Sequence, residues 1–219
     1  MFVENLCRIL LLAGFVAICT LVYNLGTVGV CIAYGIRLEK VALFYGAPVF
    51  SFQTRLCSFV VGYIPTGGSV SFDMNEFAKR SLRTRWIVVL AGPLAVFLSA
   101  AICLGVDGAV AHFFYAYHQL FRGTAAPLSY GRELVAAFFS ETARSIFVGY
   151  GILAAKLAAL NMLPVPPMAG GRLLTELTEK RGTGKLAEYI TCLFAICFLP
   201  VIVCWFVALV SFLRHGAEK

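Results

Sequence analysis

Residues 6–34 read LCRILLLAGFVAICTLVYNLGTVGVCIAY, and only Arg8 near the start and Asn24 deep inside break the apolar run. A bilayer crossing needs about 20 mostly apolar residues. The stretch is too long for the core of a signal peptide, and no small-residue cleavage site separates it from a polar mature chain. It is expected to be a first membrane helix. Residues 85–104, 145–163 and 187–213 repeat the pattern, and Pro200 in the last predicts a kink. The composition agrees: of 219 residues, 60% are hydrophobic and 13% charged, with a mean hydropathy of +0.87. Soluble domains carry about a quarter charged residues, so a soluble enzyme is excluded, and a disordered chain more firmly. The expected fold class is an all-α polytopic membrane protein of about four helices, one membrane domain over residues 1–219.

The net charge of +7 belongs to membrane topology in so apolar a chain, and no nucleic-acid partner is expected. Arg37, Lys40, Arg55, Lys79, Arg80, Arg83 and Arg85 lie between the first two helices, and Arg172, Lys180, Arg181 and Lys185 between the last two. Fewer basic residues (Arg8, Arg122, Arg132, Arg144, Arg214, Lys219) fall on the other side. The positive-inside rule then puts both termini outside the cytoplasm. The run from Lys79 to Arg85 reads first as a topology determinant and second as a contact for anionic lipid headgroups. Most of the eight cysteines lie within apolar runs with no CxxC pair, as small buried hydrophobes do.

Residues 36–72 form neither a span nor an ordinary loop. Short runs of Val, Phe and Tyr are divided by Gly46-Ala47-Pro48 and Pro65-Thr66-Gly67-Gly68, which is strand-and-turn chemistry. A small re-entrant β-hairpin or sheet is expected, and it must be covered by protein or line a cavity. Residues 105–144 contain Phe113, Phe114, Tyr115, Tyr117 and Phe121 and are expected to be an amphipathic segment at the outer interface.

Four phrases stand in order: Tyr23-Asn24-Leu25-Gly26-Thr27; Gly62-Tyr63-Ile64-Pro65-Thr66-Gly67-Gly68; Ala91-Gly92-Pro93; and Asn161-Met162-Leu163-Pro164-Val165-Pro166-Pro167-Met168-Ala169-Gly170-Gly171. Together the chain resembles the site-2 protease family of intramembrane zinc metalloproteases over roughly residues 10 to 181. The resemblance implies a helical membrane core with a re-entrant hairpin after the first helix, as residues 36–72 suggest on their own.

The family's chemistry does not carry over. Its first motif is His-Glu-Leu-Gly-His, in which two imidazoles one helical turn apart bind Zn²⁺ and the carboxylate acts as general base. Tyr23, Asn24 and Thr27 occupy those places here, and Ala169 stands where the family has its ligating Asp. Neutral hydroxyls are poor zinc ligands beside imidazole and carboxylate, and alanine donates nothing. An amide cannot take a proton from water, so no metal-activated nucleophile is expected. No cofactor is expected either. His112, His118 and His215 offer no replacement. The first two are six residues apart, off a shared helical face, and all three read as interfacial or solvated. Cys31 lacks a partner base.

The polar remnants have plain explanations. Asn24 and Thr27 are expected to hydrogen-bond between helices, and Thr27 could bond back to the carbonyl four residues earlier. Tyr23 is expected to fill the space of the lost imidazole, its hydroxyl bonded to Asn24, Asn161 or a backbone carbonyl. In active relatives the Pro-x-Pro turn holds a substrate strand. Gly67, Gly68, Asn161, Pro164, Pro166 and Lys156 are therefore candidates for a groove that binds an extended peptide by strand addition. Lys156 stands in mid-helix among alanines and leucines, where a charge costs about 2.5–3.5 kcal/mol. Three readings stay open: it meets an acidic group on a partner's helix, it replaces charge near the vacated metal cavity, or it snorkels to an interface. No Asp or Glu lies within the first three expected spans to pair with it, and Glu188 stands only at the start of the fourth.

The expected function is a catalytically inactive site-2-protease-like protein, a structural or regulatory binding subunit. Its expected partners are membrane lipids and a membrane protein or multi-subunit complex, in a bacterial inner membrane by size and family. The alternatives are an active protease with a non-standard site and a small transporter or lipid-handling protein on the same scaffold.

Overall fold

The computed structural model describes residues 2–55, 57–165, 168–179 and 184–215. Its elements are α1 (Phe2–Ala33), β1 (Leu38–Gln53), β2 (Ser58–Phe72), α2 (Met74–Ala78), α3 (Leu82–Ala125), α4 (Arg132–Arg144), α5 (Ile146–Asn161), α6 (Ala169–Glu179) and α7 (Gly184–His215), with a π-helical turn at Pro127–Gly131. The chain divides into two compact units, Met1–Ser99 and Ala100–Lys219. Among the described residues three helices are long and apolar enough to cross a membrane: Val3–Ala33, Leu82–Ala125 and Cys192–Arg214. α5 is apolar but has only 16 residues, about 24 Å at 1.5 Å per residue. The protein is mostly helical with a small antiparallel sheet after the first helix, as expected, and among the described residues three helices are of full spanning length and α5 is a shorter apolar one.

The first unit holds α1, the hairpin, α2 and the start of α3. Its helices approach closely where glycine permits. A Cβ on Gly26 would lie 2.5 Å from the Ala95 methyl carbon and 2.8 Å from the Ala91 carbonyl oxygen, and one on Gly92 would lie 2.5 Å from the Tyr23 ring. β1 and β2 pair antiparallel, with Leu38 opposite Phe72 and Phe52 opposite Phe59. The two long strands do not form a flat ribbon. Val41, Ala42 and Leu43 pair with Val70, Ser69 and Gly68, and also with Phe59, Val60 and Val61, so this part of β1 uses both of its edges. The register shifts around Leu43 and Tyr45, where Phe44 adopts φ 68°, a conformation bulky residues rarely take. At the base of the hairpin, the Asp73 carboxylate accepts from the Asn75 and Glu76 N–H groups at 2.9 and 3.1 Å, capping α2. The Arg80 guanidinium donates to the Gly35 carbonyl oxygen at 3.0 Å, tying α2 to the end of α1.

The second unit corrects one boundary. The helix expected to end at residue 104 continues to Ala125, interrupted at Gly105 with φ 73°. Leu104-Gly105-Val106-Asp107-Gly108 has the glycines and acid of a helix terminus, but the apolar run after it restarts the helix. The expected interfacial segment 105–144 is therefore the rest of α3, the π-turn and α4. Asp107 consequently lies on α3, exposed, although no acid was expected in the first three spans. The core is made by the small face of α5 (Gly151, Ala154, Ala155, Ala158, Ala159) and by aromatic contacts. The Tyr117 hydroxyl donates to the Ala159 carbonyl oxygen at 2.8 Å, the Trp205 indole donates to that of Leu120 at 3.2 Å, and the Phe139 and Phe212 rings stack at 5.4 Å. α7 is helical on both sides of Pro200.

Candidate functional site

The first group of candidates sits where α1 meets the hairpin. α1 carries Tyr23, Asn24 and Thr27 within five residues, so Asn24 and Thr27 lie close on one side of the helix. Asn24 is buried, 2% exposed, and so is Thr27. The Asn24 amide Nδ2 donates to the Ala42 carbonyl oxygen of β1 at 3.2 Å. This is a cross-element bond, from helix to strand rather than from helix to helix. Gly68 of β2, paired with Leu43, completes the junction. A Cβ there would lie 2.5 Å from the Ala42 carbonyl oxygen, 2.7 Å from Asn24 Nδ2 and 3.1 Å from Thr20 Cγ2. Only glycine lets the strand come this near the helix. Gly67 beside it has φ 119°, and the Tyr45 ring covers it. Both glycines thus serve the packing of the hairpin.

Thr27 Oγ1 donates to the Tyr23 carbonyl oxygen at 3.1 Å, the back-bond to residue i−4 that the sequence suggested. The Tyr23 ring lies against Gly92 of α3. Asn24 Oδ1 is buried with no hydrogen-bond partner among the described residues, which costs about 1–3 kcal/mol.

These residues do not fit a zinc ion. The Thr27 hydroxyl proton and the Asn24 amino group are already engaged, and what the two residues could offer a metal is a neutral hydroxyl oxygen and a neutral amide oxygen. Zinc sites are built from thiolate, imidazole and carboxylate. Among the described residues no cluster of three His, Cys, Asp or Glu could hold a metal.

The second unit carries the remaining candidates. Asn161 ends α5, and its Nδ2 donates to the Leu157 carbonyl oxygen at 2.8 Å, engaging that donor within its own helix. Tight turns follow, with the Val165 N–H on the Leu163 carbonyl oxygen at 2.8 Å and the Met168 N–H on that of Val165 at 2.7 Å. Pro164 is half-buried in this bend, while Pro166 lies outside the described residues. Ala169 opens α6 and is buried. Beside it, a Cβ on Gly170 would strike the Met162 and Leu163 carbonyls, so α6 starts directly on the backbone that ends α5. A methyl group at this place offers no ligand.

Lys156 is half-buried in α5. The sequence reading passed over its neighbour. His112 of α3 lies within electrostatic range of the Lys156 ammonium. The signal was hidden by the helix end drawn at residue 104, which left His112 as an interfacial or solvated residue beyond the second helix.

The comparison with curated proteins finds no match. The sequence profile of peptidase family M50 matches residues 11–202, a range that contains the α1 motif, the hairpin, the Pro-rich turn and most of α7. The chain therefore belongs to peptidase family M50, the site-2 protease family.

Proposed function

We propose that this chain is a catalytically inactive member of its family and works as a structural or regulatory binding subunit for a membrane partner. One observation carries the reading. At the place of the family's catalytic carboxylate, Asn24 donates a hydrogen bond that fastens the hairpin to α1. A carboxylate accepts protons there and moves them, whereas this amide is a fixed donor. The change at Asn24 thus gives the position a different task.

Tyr23, Thr27 and Ala169 support the same reading, because none can replace imidazole or carboxylate at zinc. In active relatives a scaffold of hairpin and Pro-x-Pro turn clamps a substrate strand, and the sequence here keeps both segments. Gly67, Gly68, Asn161, Pro164, Pro166 and Lys156 are its candidate contacts, and addition of an extended peptide to a strand of the hairpin is the binding mode. In this reading α5 is a fourth, short membrane helix, both termini face away from the cytoplasm, and the membrane is a bacterial inner membrane.

The test is reconstitution of the full chain with a panel of fluorogenic membrane-embedded peptides. The expected result is no cleavage by the natural sequence, but retained, saturable binding of uncleaved peptide. Chelator-sensitive cleavage overturns the proposal. A variant with Tyr23→His, Asn24→Glu, Thr27→His and Ala169→Asp serves as comparison, and zinc uptake by that variant alone supports the assignment of the four positions.

A further inference from the structure

Lys156 in the second unit is a cation with no ion-pair partner among the described residues. The Lys156 ammonium and the His112 imidazole lie within electrostatic range of each other. Asp107, on the same helix as His112, is exposed and makes no ion pair with Lys156. From these positions we infer that Lys156, with His112 beside it, is the receptor for a side-chain carboxylate on a partner's membrane helix. This deepens the reading above: it rests on the chain being a binding subunit, and it names the chemistry of what is bound.

Depth favours a protein carboxylate over a lipid phosphate. Lys156 stands ten residues after Ile146 and five before Asn161, about 15 Å and about 7.5 Å from the two helix ends. The helix is shorter than the roughly 30 Å hydrocarbon core, and the nearer end is the C-terminal one. Helical side chains also tilt toward the N-terminus, and Lys156 therefore leans toward the farther end. Its closeness to His112 fits this direction. On α3, Leu104 lies against Gly151 and Tyr117 bonds to Ala159, so His112 falls level with the middle of α5.

The surrounding surface suits a helix. Ala154, Ala155, Ala158 and Ala159 are fully buried on one face of α5. Lys156 shares the half-open face with Leu153, Leu157 and Leu160. An apolar helix bearing one Asp or Glu would cover the leucines and neutralise the cation. In hydrocarbon that pairing removes an unfavourable charge from both partners.

The experiment uses the full chain in phosphatidylcholine proteoliposomes, labelled with a fluorescence donor. The probes are acceptor-labelled Leu/Ala transmembrane peptides with a central Asp, Asn or Leu. Energy transfer is expected to report at least ten-fold tighter association of the Asp peptide than of the other two. Lys156→Met is expected to erase the preference and Lys156→Arg to keep it. Equal association of the three peptides with the natural chain overturns the proposal, and that comparison requires no variant to fold. An Asp preference that survives Lys156→Met also overturns it. Phosphatidylglycerol that displaces the Asp peptide to the Leu level assigns the cation to lipid and overturns it as well. None of these outcomes depends on zinc or cleavage, so the reading of inactivity stands or falls separately.

Discussion

The junction of α1 with the hairpin and the middle of α5 treat their polar residues in opposite ways. At the junction, Asn24 and Thr27 donate at 3.2 and 3.1 Å to carbonyl oxygens of the same unit, and Gly68 lets strand and helix meet. In α5, Lys156 has its charge among small apolar residues and, among the described residues, another basic group, His112, within range. Polar groups in a membrane interior are expensive unless satisfied. The first region has engaged most of its polar atoms in holding the fold. The second retains a group whose natural partner is not on the described part of the chain. In the proposed reading, architecture belongs to the first region and recognition to the second.

Substitution breaks or sharpens that contrast. The largest effect is expected for Gly68→Val. Its side chain must enter the space of the Ala42 carbonyl and the Asn24 amide, and backbone cannot yield as a flexible side chain can. A loss of about 3 kcal/mol is expected, seen as a lowered unfolding temperature in detergent. An unchanged temperature would mean that α1 and the hairpin are not closely joined. Asn24→Asp comes next. It replaces the donor to the Ala42 carbonyl oxygen with an acceptor, so two oxygens face each other in a buried place. About 2 kcal/mol should be lost, and if stability instead holds while zinc binding appears, the structural role assigned to Asn24 fails.

Lys156→Met should act with the opposite sign. Removing an unpaired cation from an apolar helix is expected to stabilise the isolated chain by about 1 kcal/mol, a cautious part of the insertion cost, measured by the same melting experiment. Destabilisation would place a carboxylate within the chain itself and remove the contrast. The smallest effect belongs to Thr27→Val. It deletes only a back-bond to the helix's own carbonyl and should change stability by less than about 0.5 kcal/mol.

Much of this was legible in the sequence, for physical reasons that differ by region. α1, β1, β2 and α7 follow from apolar length and from glycine and proline placement. The back-bond of Thr27 follows from helical spacing, since its partner lies four residues away. The partner of Asn24 was not legible. The Ala42 carbonyl is 18 residues away, and the register that presents it shifts beside Phe44, where φ is 68°. Nor was the end of α3. Gly105, Asp107 and Gly108 carry the local signals of a terminus, but only Gly105 leaves helical geometry. That single misread boundary also hid the neighbourhood of His112 and Lys156.

The central claim is that the metal-binding place of the family has been refitted in this chain for holding structure. Zinc content of the full chain, purified from zinc-supplemented cells and measured by elemental mass spectrometry, tests it most directly. Background metal that is unchanged by Asn24→Ala is the predicted result; stoichiometric zinc, lost together with peptide cleavage on chelation, would contradict it.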